Sequence, residues 1–164
     1  MKVALSPAPW GVAEPTKELM EAIGIIGSGT SAAAKAQYNQ LKRKGDSVPK
    51  GMQSTINKLL DAKFEAAGWA VKDGRYSKDG TYVRITFRHA MSMGTDILEA
   101  MKECTKNDAQ LAVILACGLE ALRKIAPSQA NSMVSYEKLS LEVQDLDGVI
   151  DIPLMIGELI PKSI

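Results

Sequence analysis

Arg84, Thr86 and Arg88 alternate with Val83, Ile85 and Phe87 along Thr81-Tyr-Val-Arg-Ile-Thr-Phe-Arg-His89. Guanidinium groups at that spacing share one face of an extended segment. They suit phosphate oxygens, which they engage in forked, charge-assisted geometry. Arg75 and Lys78 lie just upstream, and Lys42 and Arg43 form a second cationic cluster before Gly45. Each group has a plainer use. Arg84 and Arg88 can keep an outer strand soluble or pair with helix carboxylates, and Lys42-Arg43-Lys44 complements the dipole at a helix C-terminus. The carboxylates Asp73, Asp79 and Glu65 are the candidates for a divalent metal such as Mg²⁺, although Asp-Gly pairs ordinarily serve turn geometry. His89 is the only histidine and has no cysteine or second histidine at ligand spacing. No Gly-x-Ser-x-Gly elbow supports nucleophilic catalysis.

The elements that position these residues follow from periodicity. Residues 81–89 alternate at a period of two, which predicts a half-buried strand with Tyr82, Arg84, Thr86 and Arg88 facing outward. Helices are expected over 17–26, 32–44, 51–67, 97–106, 118–126 and 136–146. The clearest is 51–67, where Met52, Ile56, Leu59, Leu60 and Phe64 recur at spacings of three and four. Trp69–Val71 reads as a short strand, with Asp73-Gly74 and Asp79-Gly80 as turns around Arg75-Tyr76-Ser77. The apolar run Leu111–Cys117 suits a strand covered on both faces. Residues 149–160 read as a last strand that Pro153 pushes towards a sheet edge. Residues 1–14 read as an extended arm, and 15–164 as a single α/β domain with a central mixed β-sheet flanked by helices.

The totals set limits. A chain of 164 residues suits one domain with a proper core, and 46% hydrophobic with 24% charged residues is globular. The net charge of +1 gives no global attraction to nucleic acid or membrane. Cys104 and Cys117 are expected as buried free thiols. Prolines interrupt the N-terminal apolar stretch, and no apolar run nears the ~20 residues of a membrane span, so the expected setting is the cytoplasm.

The order of long helix, short strand, Asp-rich turn, alternating strand, helix and buried strand resembles the core of the PD-(D/E)XK nucleases. The wording Phe64-Glu-Ala-Ala-Gly-Trp69 and Tyr82-Val-Arg-Ile-Thr-Phe-Arg-His-Ala-Met-Ser-Met-Gly-Thr-Asp96 is similar to restriction endonucleases of the BglII and BstYI kind. The resemblance implies a restriction endonuclease-like fold, a double-stranded DNA partner and a homodimer able to read a two-fold site. It also implies an aspartate ahead of the strand and a Glu-x-Gln or Glu-x-Lys upon it, holding divalent metal. Carried over by position, these fall near Tyr76 or Ser77, on Arg84 and on Thr86, none of which is a carboxylate. An arginine there repels a cation ~4 Å away by about 4 kcal/mol per unit charge at an effective dielectric of ~20.

Three readings result. In the first, the chain is a catalytically degenerate relative that binds DNA, or a DNA-associated partner, through Arg75, Lys78, Arg84, Thr86, Arg88, Lys42 and Arg43, with no metal. In the second, it is an active Mg²⁺-dependent endonuclease whose carboxylates have moved to Asp73, Asp79 and Glu65. In the third, which the near-zero charge favours, it is a protein-interaction module, an inhibitor or accessory subunit in phage or mobile-element defence.

Overall fold

The computed structural model describes residues 1–7, 15–44 and 51–161, apart from the side chains of residues 7 and 42–44. Two Asp-Gly turns fold residues 70–86 into an antiparallel meander. Asp73 and Gly74 have φ of 50° and 72°, and Asp79 and Gly80 have 43° and 77°. Both central residues of each turn are thus left-handed, as a two-residue hairpin whose twist matches its strands requires. The turns separate β2 (Ala70–Lys72), β3 (Arg75–Lys78) and β4 (Thr81–Thr86). Of these, β3 is a strand that the expected order of elements lacks.

A six-stranded mixed sheet grows from this meander. β4 runs parallel to β5 (Leu111–Cys117), and β5 runs parallel to β6 (Leu154–Ile160). Lys2–Pro7 forms β1, antiparallel to β6, so the order across the sheet is β1-β6-β5-β4-β3-β2. The two ends of the chain meet here. Residues 2–7, the first part of the expected extended arm, pair with the sheet as an edge strand. β6 is internal, because Pro153 precedes the strand and spends no ladder donor; its carbonyl accepts from the Ala112 amide at 2.9 Å. Gly157 lets β1 close down on β6. A Cβ there would stand 2.7 Å from Leu115 Cδ2 and 2.9 Å from Leu5 Cδ2.

Helices cover both faces. On one lie α1 (Lys17–Gly27), α2 (Thr30–Lys44), α3 (Gln53–Ala66) and α5 (Leu119–Ile125), whose Leu19, Ala34, Ile56, Leu60, Phe64 and Leu122 pack with Val83, Ile85, Val113 and Leu115. On the other lie α4 (Met93–Lys106) and α6 (Tyr136–Asp145), whose Ile97, Ala100, Leu139 and Val143 pack with Tyr82, Ala112, Ile114 and Ile156. β5 is buried at every position, as its unbroken apolar run predicts. β4 is also buried at every position. It was expected to leave one face to solvent, and it does not, because α4 covers that face. Phe64 stacks on Tyr76 at 3.9 Å and meets Trp69 edge-on at 5.2 Å, which ties α3 to the meander.

Cys117 is a buried free thiol, pushed up to about 12 by its burial, whereas Cys104 is only half-buried. Among the described residues no helix is long and apolar enough to cross a membrane.

Candidate functional site

The two-residue turn at Asp79-Gly80 fixes the register of β3 against β4 and sets Arg75 directly opposite Arg84. Like charges in that relation destabilise a sheet. Their compensation comes from α4, which lays Asp96 and Glu99, three residues apart and so on one helix face, over this part of the sheet. Asp96 is 1% exposed. Its Oδ1 accepts from Arg84 Nε at 3.0 Å and from Arg88 Nη1 at 2.9 Å, and its Oδ2 accepts from Thr86 Oγ1 at 2.8 Å. Arg84 also donates to the Asp73 carbonyl. Arg75 Nη1 donates to Glu99 Oε1 at 2.9 Å, with the Asp73 carboxylate 3.6 Å from its Nη2.

A cleft of about 460 Å³ opens beside this network. Gln53, Ser54 and Asn57 from the start of α3 form one wall. Asp73, Arg75, Arg84, Ile85, Phe87, Arg88 and Glu99 form the rest. Arg88 lies just past the end of β4 and keeps 41% of its side chain exposed. Its backbone is held, since the Arg88 carbonyl accepts from the Val134 amide at 2.9 Å.

The structure divides the residues expected to contact DNA. Arg75, Arg84 and Arg88 line the cleft, but only Arg75 and Arg88 are partly exposed there. Arg84 and Thr86 do not face outward: both are buried beneath α4 and committed to Asp96. Lys78 lies on the opposite face of the sheet from Arg75, where its Nζ bonds Glu21 Oε2 at 2.9 Å and the Ala67 carbonyl at 3.0 Å. It braces α1 against the meander. The side chains of Lys42 and Arg43 lie outside the described residues. Tyr76, near the expected leading aspartate, is a core residue that donates its hydroxyl to Asp61 Oδ1 at 2.8 Å. His89 caps the 3-10 turn at Ala90–Ser92, its Nδ1 accepting from the Met91 amide at 3.4 Å.

The relocated metal cluster is not assembled. Asp73 and Asp79 sit in the turns at opposite ends of the four-residue β3, separated by about 14 Å of strand at ~3.4 Å per residue, and Glu65 is exposed near the end of α3. Among the described residues no group of three or more His, Cys, Asp or Glu side chains is placed to hold a metal ion. The carboxylates around the cleft, Asp73, Asp96 and Glu99, each face a guanidinium. That donor set does not fit the divalent ion which the family resemblance implies.

Asp96, Glu99, Gln53 and Asn57 are site residues that sequence reasoning passed over. Asp96 lies in the first turn of α4, which begins at Met93, and its carboxylate is buried. A signal for two of them was present. Hairpin arithmetic from Asp79-Gly80 pairs Arg75 with Arg84, and Asp96-x-x-Glu99 on the next helix is a matching pair of counter-charges.

No protein-family model matches the sequence, and no curated protein matches it. Solved structures do. The crystal structure of free BglII superposes with a TM-score of 0.61 at 16% identity, over 99% of this chain and 81% of that one. The restriction endonuclease BglII complexed with a DNA 16-mer matches with a TM-score of 0.52 at 16% identity, over 66% of this chain, which spans 56% of that enzyme chain's length. The chain has a restriction endonuclease-like fold.

Proposed function

We propose that the chain binds DNA on a nuclease scaffold whose cleft carries a guanidinium contact in place of metal chemistry. One observation carries this reading. Asp96, the buried carboxylate under β4, is shared by two guanidiniums, so the pair outnumbers it by one positive charge, and that surplus belongs to half-exposed Arg88 at the cleft. Arg84 supports from below by fixing Asp96, which in turn aims Arg88. A phosphate oxygen at the cleft mouth would complete the charge balance in the short, charge-assisted geometry that guanidinium favours. The likeness to BglII, a fold shared with an enzyme solved on DNA, supports a DNA partner.

The test is fluorescence anisotropy with a mixed-sequence duplex at low salt. Arg88→Ala is expected to weaken binding by about tenfold or more, the size of one charged hydrogen bond. Unchanged affinity in Arg88→Ala and in Arg75→Ala would overturn the reading. The variants leave Arg84 and Asp96 paired, so a loss of binding is not a loss of fold, and a thermal melt checks that directly.

A further inference from the structure

The cleft contains more than a phosphate contact needs. Of its lining residues, Asn57 Oδ1, Glu99 Oε2 and Gln53 Oε1 are buried oxygens with no hydrogen-bond partner among the described residues. An unpartnered buried acceptor is costly, and native structures rarely keep one without a use. Gln53 Oε1 packs against Gly51, and the other two are acceptors that lack a partner's N–H or O–H groups. The cations Arg75 and Arg88 line the same cleft, Arg75 bonded to the other oxygen of Glu99, and its wall includes the apolar side chains of Phe87 and Ile85. A cation for an anionic group, an apolar wall and acceptors for N–H donors describe a nucleotide unit. The volume of about 460 Å³ is of the size that encloses a small molecule rather than a passing phosphate. A paired base stays in the stack and shows only its groove edge, whereas an unpaired one can enter such a cleft whole.

We infer that the cleft takes one unpaired nucleoside monophosphate unit, its phosphate on Arg88 and its base donors on Asn57 and Glu99. The unit is either the overhanging nucleotide of a DNA end or a free nucleotide. The first source rests on the DNA-binding reading above, and the second does not.

The experiment compares, by anisotropy, a blunt duplex with the same duplex carrying a single-stranded overhang. In parallel, thermal shift is measured with each of the four deoxynucleoside monophosphates and with inorganic phosphate. Overhang DNA is expected to bind about tenfold more tightly than blunt DNA, the scale of one engaged base. At least one monophosphate should stabilise the protein beyond inorganic phosphate. Asn57→Leu is expected to abolish both preferences while keeping or raising the melting temperature, because it removes a buried oxygen that has no partner. Equal binding of overhang and blunt DNA, with no monophosphate exceeding phosphate, overturns the inference and leaves the DNA reading intact. If neither DNA binds but a monophosphate exceeds phosphate, the DNA reading falls and the nucleotide site stands. If neither DNA binds and phosphate matches every monophosphate, both fall.

Discussion

Asp96 decides whether Arg84 can be where it is. A guanidinium 3% exposed beneath a helix has lost its water, and only a carboxylate in direct contact can hold it there. Removing that carboxylate leaves an uncompensated buried charge, so Asp96→Ala is expected to lower stability by about 3–5 kcal/mol. Replacing the pair together is a different matter. In Arg84→Met with Asp96→Leu no charge stays buried, and Arg88, already 41% exposed, can turn to solvent. The double variant is expected to lie within about 2 kcal/mol of the parent, since hydrophobic replacement of a buried pair is often close to neutral. Urea denaturation of the two variants checks both figures. A small loss in Asp96→Ala would mean that Arg84 finds water by another route, and the clamp beneath Arg88 would no longer account for its position.

The elements show why some of this was legible in the sequence and some was not. α3 and β5 declare themselves through periodicity, and the two Asp-Gly turns through the backbone geometry they demand. β1 does not, because its partner is at the far end of the chain: Lys2 pairs with Ile160, and no local pattern announces so distant a ladder. The outer face of β4 misled for a related reason. An alternation of apolar with charged residues looks the same whether the charged face meets solvent or meets a helix bearing Asp96 and Glu99. Only the tertiary position of α4 separates the two, and it moves Arg84 and Thr86 from a surface to an interior. A smaller case of one element completing another sits at α5, whose N-cap Gly118 has no side chain to offer. Glu137 of α6 supplies the acceptor, with both carboxylate oxygens 3.1 Å from the Leu119 amide. Burial opposes ionisation there, but hydrogen bonds from Ser135, its own amide and the Leu119 amide, with Lys138 nearby, hold the carboxyl below its ordinary value. A lowered folded-state value stabilises the protein above the unfolded value of about 4.3, and that stabilisation is lost as pH falls through the folded value. Glu137→Gln is therefore expected to cost up to about 1 kcal/mol near neutral pH, in the range of a helix cap. The gap between variant and parent should close in acid, as paired thermal melts would show.

At the scale of the whole molecule, charge limits how DNA can be held. The net charge is +1, and Arg75, Lys78, Arg84 and Arg123 all face carboxylates within the fold. A long-range field cannot gather DNA here, so the affinity must come from a few contacts at the cleft. That fixes the salt dependence. Each neutralised phosphate contributes about −0.9 to the slope of log K against log salt, so Arg88 alone predicts about −1 for one chain on a duplex, and about −2 where Arg75 exchanges its carboxylates for a second phosphate. A two-fold dimer engaging both strands would double either figure, so the change on Arg88→Ala reads stoichiometry along with mechanism. Arg88→Ala should reduce the slope by about one unit per chain engaged. Mg²⁺ should act only as a competing counterion and weaken binding, because the cleft carboxylates are already matched by guanidiniums. A rise in affinity on adding Mg²⁺, or a signal that decays as the duplex is cut, would show that these carboxylates release their arginines for a metal, and the guanidinium reading of the cleft would be abandoned for a nuclease.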